Sequence, residues 1–525
     1  MSPRELARSL AEGLHAVGVR RIFGMPGGGP NLDMIGCAQE LGIDFVLAHG
    51  ETAACIMAAS YGRLTATPGV AIVTRGPGMT SAANGLAQAT LDRFPLLLVT
   101  DAVTRAGAER TAHQRLDQVT AATPLSKWSG TLGTADPARV VEAAARLAVA
   151  APAGAVHLAF DPTTPGDAAA AVPAPAADVG DASTFARARE VLAGARKPVV
   201  IVGLDAARHP DAVRKALREL DCPVLVTYEA KGVVPESSST YAGLFTGAHI
   251  ERALLSDADV VLCLGLDPVE PMPGPWPYEA HVVMLHSHPV EAAYFGAPTT
   301  VIGSYDEHLP ALVAACESSE WPPGAGAAFR RDGLQRLEVP TAGLNPLDVV
   351  RVTQELAGDV LATVDAGAHM LAAMPVWQTD EADSVLISNG LATMGLALPA
   401  AIAMALARPG RRVVCFVGDG GLSMVIGELE TLARLDLAVT VVVFNDAMLT
   451  LIKLKQLAGQ SGDRAVAYGS IDFARVSIGM GVPGRTATNV SQLREALSSS
   501  PSGPLLIDAR IDASAYAHII KVTRG

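Results

Sequence analysis

Two hydrophobic periods take turns along this chain. At the N-terminus, Leu6, Leu10, Leu14 and Val17 recur at the spacing of one helix face. Ser2 can cap that helix, Pro3 suits its first turn, Glu5 completes a capping box and Gly18 stops it. A short strand, Arg21-Ile22-Phe23, then runs into the glycine-rich turn Gly24-Met25-Pro26-Gly27-Gly28-Gly29. The alternation repeats with a strand near Ile43–Leu47, a helix from Glu51 and a strand near Val70–Val73. The turn Arg75-Gly76-Pro77-Gly78, a helix to Asp92 and a strand over Leu96–Thr100 follow. Strands alternating with helices through tight glycine turns predict parallel βαβ units, with a sheet covered on both faces.

The same pattern runs again from about Lys197 to Gly303, and a third time from Val349 to the C-terminus. The third unit has strands near Val360–Val364, Val413–Val417, Val439–Phe444 and Leu505–Ile507. Thr164–Ser183, an Ala/Pro stretch, and Trp321–Asn345, rich in Pro, Gly and charge, read as linkers. The expected fold is α/β, with three doubly wound, mostly parallel-sheet domains over 1–165, 185–320 and 345–525. No short-period repeat is visible.

Composition narrows the function classes. The 525 residues are 50% hydrophobic and only 18% charged, enough apolar surface to bury large cores and to exclude disorder as the main state. A net charge of −13 and no basic run longer than pairs such as Arg411-Arg412 argue against a nucleic-acid partner. Six cysteines lie far apart with no CxxC spacing, which predicts neither a disulfide framework nor a structural zinc site. The charged N-terminus lacks the apolar core of a signal peptide. Ser384–Ala407 carries no charge and is long enough to span a membrane, but Gly395 and Pro399 interrupt it. A buried helix and loop in a cytoplasmic protein without a membrane partner is the expectation, with an intersubunit face as a natural place for that burial.

The strongest chemical signal lies in the third unit. Val413–Val417 runs into Gly418-Asp419-Gly420-Gly421, and Val439–Phe444 ends in Asn445-Asp446-Ala447. Doubly wound sheets place their ligands at such C-terminal strand ends. Neighbouring parallel strands would set Asp419 beside Asn445. A hard cation such as Mg²⁺ takes oxygen ligands and keeps phosphate oxygens in its shell. Asp419 offers a carboxylate oxygen, Asn445 an amide oxygen, and the backbone near Ala447 a carbonyl. The glycines let the backbone approach a phosphate.

Gly418-Asp419-Gly420 with Asn445 resembles the diphosphate–magnesium motif of thiamine diphosphate enzymes. The whole chain resembles the acetohydroxyacid synthase (acetolactate synthase) branch of that superfamily. The matching segments follow in order: Phe23-Gly24-Met25-Pro26-Gly27-Gly28, His49-Gly50-Glu51 and Gly76-Pro77-Gly78-Met79-Thr80. Gly367-Ala368-His369, Gly390-Leu391-Ala392-Thr393-Met394-Gly395 and Leu398-Pro399-Ala400-Ala401-Ile402 complete the series. The resemblance implies pyrimidine, central and diphosphate domains. It implies thiamine diphosphate held by Pro26, Gly27, Gly28 and Gly76 on one side, and by Gly367, His369, Ala392, Met394, Gly418, Gly420, Gly421 and Met448 on the other. Mg²⁺ would lie on Asp419, Asn445 and Ala447. Glu51 takes the position of the glutamate that relays a proton to the cofactor's pyrimidine, switching on the C2 carbanion. Met394 takes the place of the apolar residue that bends the cofactor. In such relatives the glutamate and the diphosphate motif of one site come from different subunits, which implies a homodimer or homotetramer.

The chain also departs from the pattern. Ala368 stands where acetohydroxyacid synthases carry a glutamine. The element Thr111-Ala112-His113-Gln114-Arg115 has His113 and Arg115 in place of the family's Phe and Glu. Gln114 would face the substrate-derived intermediate, and His113 could move protons near neutrality. No Trp follows Asn445, where the family usually has one. The central unit lacks a dinucleotide fingerprint with a correctly spaced acid, so FAD stays open. The expected function is thiamine diphosphate- and Mg²⁺-dependent C–C chemistry on a small 2-oxo acid or aldehyde, with decarboxylation and carboligation. A non-ligating decarboxylase, a benzaldehyde-lyase-like aldehyde lyase or carboligase, and a non-catalytic cofactor-binding protein stay open beside it.

Overall fold

The capping box at the N-terminus forms as its residues require. In the computed structural model, Ser2 Oγ accepts from Glu5 N, and Glu5 Oε2 accepts from Ser2 N at 2.6 Å. The helix Pro3–Ala16 that follows buries Leu6, Leu10 and Leu14. The structure describes residues 1–174, 180–218, 220–291, 293–316, 319–358, 360–456, 460, 462–498 and 502–525.

Among these residues the strands assemble into three six-stranded sheets. The first holds β1 (Arg21–Met25), β2 (Asp44–Leu47), β3 (Gly69–Val73), β4 (Leu96–Asp101), β5 (Trp128–Leu132) and β6 (Ala155–Phe160). The second holds β7 (Pro198–Val202), β8 (Val224–Val226), β9 (Tyr241–Leu244), β10 (Val260–Leu264), β11 (His281–His286) and β12 (Thr299–Ile302). The third holds β13 (Leu361–Val364), β14 (Val385–Ile387), β15 (Val413–Gly418), β16 (Val439–Asn445), β17 (Gly484–Ala487) and β18 (Leu505–Arg510). The paired strands run parallel, for example β3 against β4, β7 against β10 and β15 against β16. The central strands are buried on both faces, as in the fully buried β3 and β16, while the outer strands β2 and β17 are partly exposed.

The first sheet runs β2-β1-β3-β4-β6-β5 and the third β14-β13-β15-β16-β18-β17, the same order within each domain. Corresponding loops in the two domains therefore leave corresponding strand ends. The second sheet runs β12-β11-β10-β7-β8-β9, a different order.

Three segments refine the sequence reading. The Ala/Pro stretch is docked at its start, where Asp167 N donates to Thr131 O at 2.9 Å beside β5. It then makes a short turn over Ala169–Ala171, while 175–179 lie outside the described residues. Trp321–Asn345 is not an extended linker. It carries the helix Ala325–Leu337, which packs on β9 and buries Leu337 at its end. The missing side chain of Gly326 permits that contact, since a Cβ there would lie 2.0 Å from Thr240 O. Lastly, Ser384–Ala407 forms β14 and the helix Ala397–Ala407, which packs against β15 and against the helix Glu51–Thr65 of the first domain. Its apolar surface is covered within the chain, so its burial needs no second subunit. Among the described residues no helix is long and apolar enough to cross a membrane.

Candidate cofactor and metal site

The register of β15 on β16 pairs Gly418 with Phe444, so the residues that follow, Asp419 and Asn445, leave adjacent strand ends side by side. Asp419 is 3% exposed and ties the two loops together. Its Oδ2 accepts from Asp446 N at 3.2 Å and Ala447 N at 2.7 Å. Its Oδ1 accepts from Gly420 N at 2.7 Å and the Tyr468 hydroxyl at 2.6 Å. Burial raises the Asp419 carboxyl above its ordinary range despite these four donors. Asp446 is lifted to about 6, mainly by burial, with the Asp419 charge adding to the shift. Two carboxylates sharing a water-poor cleft are what a divalent cation would neutralise.

Asn445 Nδ2 donates both hydrogens, to Ile471 O at 3.0 Å and Asp508 Oδ1 at 2.8 Å. The amide is thereby oriented, and Oδ1 is the atom left for a cation. Ala447 holds a left-handed φ of 56°. Its carbonyl accepts from Tyr468 N at 3.2 Å. Among the described residues no three His, Cys, Asp or Glu side chains cluster as a metal site. A metal here would therefore draw on Asp419, the Asn445 amide and backbone or phosphate oxygens.

A cavity of about 360 Å³ opens beside this pair. It gathers Gly367, His369, Ala392, Met394, Gly418, Asp419, Gly420, Gly421 and Met448, the sequence-predicted residues of the third domain apart from Asn445 and Ala447. The His369 ring stacks on Phe444 at 5.5 Å between centroids. Burial lowers its pKa to about 4, so the ring is neutral near pH 7, and its buried Nε2 has no partner. An orphaned polar atom in the wall of this cavity fits a bound cofactor. Gly421 is required by its neighbour instead, since a Cβ there would lie 1.9 Å from Asp365 Oδ2. Asp365 in turn accepts from Gly395 N at 2.9 Å and Leu396 N at 2.8 Å, which holds the loop carrying Ala392 and Met394.

The first domain gathers the other predicted residues separately. Glu51 opens the helix Glu51–Thr65, and its Oε1 lies 3.5 Å from where a Cβ on Gly78 would be. Gly76 has φ +64°, and a side chain there would come within 3.0 Å of Gln114. Gly27 N donates to Asn31 Oδ1 at 2.7 Å, and a Cβ on Gly27 would lie 2.3 Å from Thr74 Oγ1. Pro26 and Gly28 sit on the same loop, and His113 is exposed on its own loop. None of these residues lines the cavity beside Asp419. One chain thus presents two separate groups of sequence-predicted residues, each at the C-terminal strand ends of sheets with the same strand order.

Residues 365–509 match the C-terminal TPP binding domain of thiamine pyrophosphate enzymes, 4–121 the N-terminal TPP binding domain, and 185–312 the central domain. The acetolactate synthase of Bacillus subtilis (strain 168) is 31% identical, over 95% of this chain and 91% of its own length. The chain belongs to the thiamine pyrophosphate enzymes. The catabolic acetolactate synthase of Raoultella terrigena is 28% identical over 95% of this chain and 93% of its own. The acetolactate synthase isozyme 2 large subunit of Escherichia coli (strain K12) is 28% identical over 96% and 95%. This is a thiamine diphosphate-dependent enzyme of the acetolactate synthase-like kind, and its three sheets are the three domains of that family.

Several residues around this candidate site were not singled out from the sequence. Asp446 was legible, being adjacent to Asn445 on the same strand end. Asp365 was legible as the acid that follows β13, two residues before Gly367. Tyr468 and Asp508 carry no sequence signal, because only the folded chain brings them to Asp419 and Asn445.

Proposed function

We propose that this protein carries out thiamine diphosphate- and Mg²⁺-dependent decarboxylation and carboligation of a small 2-oxo acid. The observation that carries the reading is Asp419, nearly buried, beside Asn445 at the rim of a cavity with an unpartnered His369 Nε2. Bound thiamine diphosphate supplies a nucleophilic carbon that adds to the 2-oxo group and then accepts the electrons released with CO₂.

The chain's own residues do the rest. Asp419, the Asn445 amide oxygen and a backbone carbonyl at Ala447 hold the metal, and the turn Gly418–Gly421 seats the diphosphate. Met394 shapes the cofactor from the cavity wall. Glu51 holds and moves the proton at the cofactor's pyrimidine, while Gln114 and His113 act on the substrate's oxygen atoms. In this reading the half-site at Glu51, Gly76 and Gln114 of one copy completes the half-site at Asp419 of another. The enzyme is then a homodimer, or a homotetramer built from dimers. Apolar side chains exposed around the two half-sites, Met25 at 40% and Leu47 at 44% on one, Met424 at 63% and Ile452 at 50% on the other, support that pairing. The free cysteines accord with a reducing, cytoplasmic setting.

The test is incubation with thiamine diphosphate, Mg²⁺ and a panel of 2-oxo acids, with CO₂ and carbonyl products identified. Release of CO₂ with a 2-hydroxy ketone product is expected. A free aldehyde alone would make it a decarboxylase, and no CO₂ from any acid would refute the reading. An active monomer by light scattering would refute the shared site.

A further inference from the structure

We propose that the Glu270 side chain is a built-in plug of the central domain, occupying the place where a sheet of this strand order holds a dinucleotide's pyrophosphate, so that the enzyme works without FAD. Counted within the domain, the order β12-β11-β10-β7-β8-β9 is 6-5-4-1-2-3. This is the dinucleotide-binding order, and its crevice opens where the order reverses, at the C-terminal ends of β7 and β10. A pyrophosphate there is held by backbone N–H groups of the turns that leave those strands.

In this chain those donors are already taken. Leu204 N, just beyond β7, and Asp267 N, just beyond β10, each donate to Glu270 Oε2 at 2.9 Å. Glu270 is 6% exposed. The neighbouring donors at the end of β11 go to a second carboxylate: Ser287 N and Oγ reach Asp205 at 2.8 and 2.7 Å, and Tyr305 OH reaches it at 3.0 Å. The space is filled as well. A Cβ on Gly203 would lie 2.5 Å from Leu266 Cα and 2.7 Å from Glu270 Oε2.

All three domains clamp this arrangement. Arg93 of the first domain holds Asp267 in a fork at 2.9 and 3.1 Å. Asn389 of the third donates to Glu270 O at 3.1 Å. Two residues on, Met272 N donates to Thr246 O at 2.8 Å, and the Met272 side chain lines the cavity beside Asp419. The loop that a bound dinucleotide would order is ordered instead by the chain's own carboxylate. The inference rests on the central sheet and not on the catalytic reading.

Flavin content of the holoenzyme is read from visible absorbance and from the fluorescence of acid-released flavin. FAD and ADP are titrated by calorimetry into the wild type, Glu270→Gln and Glu270→Ala. The wild type should carry no flavin and turn over equally with and without added FAD. Glu270→Ala frees two amide donors and should bind ADP at least about tenfold more tightly than wild type. Glu270→Gln fills the same volume and should behave as wild type. Stoichiometric flavin in the wild type, FAD-dependent turnover, or a folded Glu270→Ala with no gain in ADP affinity would each overturn the proposal. If Glu270→Ala does not fold, the wild type and Glu270→Gln decide: flavin on either overturns it, and flavin on neither upholds it. The flavin measurement needs no turnover, so its result is separable from any failure of the catalytic assay.

Discussion

Replacing Asp419 separates two jobs that its carboxylate performs at once. From sequence, Asp419 is a loop residue whose loss should weaken cofactor binding far more than folding. In the structure it accepts from Gly420 N, Asp446 N, Ala447 N and the Tyr468 hydroxyl, and it is 3% exposed. Hydrogen bonds to a charged group contribute about 1.5–3 kcal/mol each. Water entering the adjacent cavity can satisfy some of the freed donors, so Asp419→Ala should cost about 2–4 kcal/mol of stability rather than the full sum. For a domain of this size each kcal/mol lowers Tm by about 2–4 °C. Asp419→Asn keeps the volume and one acceptor oxygen, and its new amide can donate to the Tyr468 oxygen. Its amide nitrogen leaves Gly420 N–H without its acceptor, so Asp419→Asn should cost about 1–2 kcal/mol, less than Asp419→Ala. Both variants remove the charged metal ligand, so affinity for thiamine diphosphate with Mg²⁺ should fall at least about 100-fold. Calorimetric titration of the cofactor and scanning calorimetry on the same samples make the comparison. Unchanged affinity in Asp419→Asn would refute the metal assignment, and a wild-type Tm for Asp419→Ala would refute the four-bond tie.

Tyr468 donates to Asp419 Oδ1 where a cation would otherwise bind. Tyr468→Phe should then raise Mg²⁺-dependent cofactor affinity about two- to tenfold, part of the worth of that hydrogen bond, and weaker binding by calorimetry would disprove the competition. Glu51→Gln should slow C2 deuterium exchange of bound thiamine diphosphate and all turnover together by about 10²–10⁴-fold. By contrast, His113→Ala and Gln114→Ala should leave that exchange near wild type and change turnover or the ratio of ligated product to aldehyde, read by proton NMR. Stability should fall at both ends of the pH range. Burial holds His286 and His369 at about 4, below the ordinary 6.5, so their contribution is present above about 6.5 and lost as pH falls toward 4. Burial raises Glu270 from 4.5 to about 8, so its contribution is complete below about 4.5 and lost as pH rises through 8. Melting curves across pH should show the alkaline loss in wild type and a smaller one in Glu270→Gln; equal slopes would contradict the assignment.

Most of the architecture was legible because it is written in local periods. Leu6, Leu10 and Leu14 mark one helix face whatever lies beneath them, and the capping box at Ser2 and Glu5 closes within a single turn. Val413–Val417 and Val439–Phe444 read as buried strands because a sheet covered on both faces needs no polar alternation. Asp419 and Asn445 were legible as neighbours because parallel strands place their C-terminal ends together. Other features depend on contacts between segments distant in sequence, and no local pattern encodes those. Ala325–Leu337 reads as a linker by composition but is a helix, because β9 offers it a surface. The uncharged helix Ala397–Ala407 finds its cover on the first domain of its own chain. Tyr468 reaches Asp419, and Asp508 orients Asn445, only after the third sheet has assembled. Glu270 carries no sequence signal; only the reversal of strand order at β7 and β10 brings two backbone amides to one of its oxygens. Periodicity and motif spacing determined the elements and the chemistry of the third domain. The packing of the folded chain decided which side chains share a site, because those contacts depend on three-dimensional distance and not on separation along the chain.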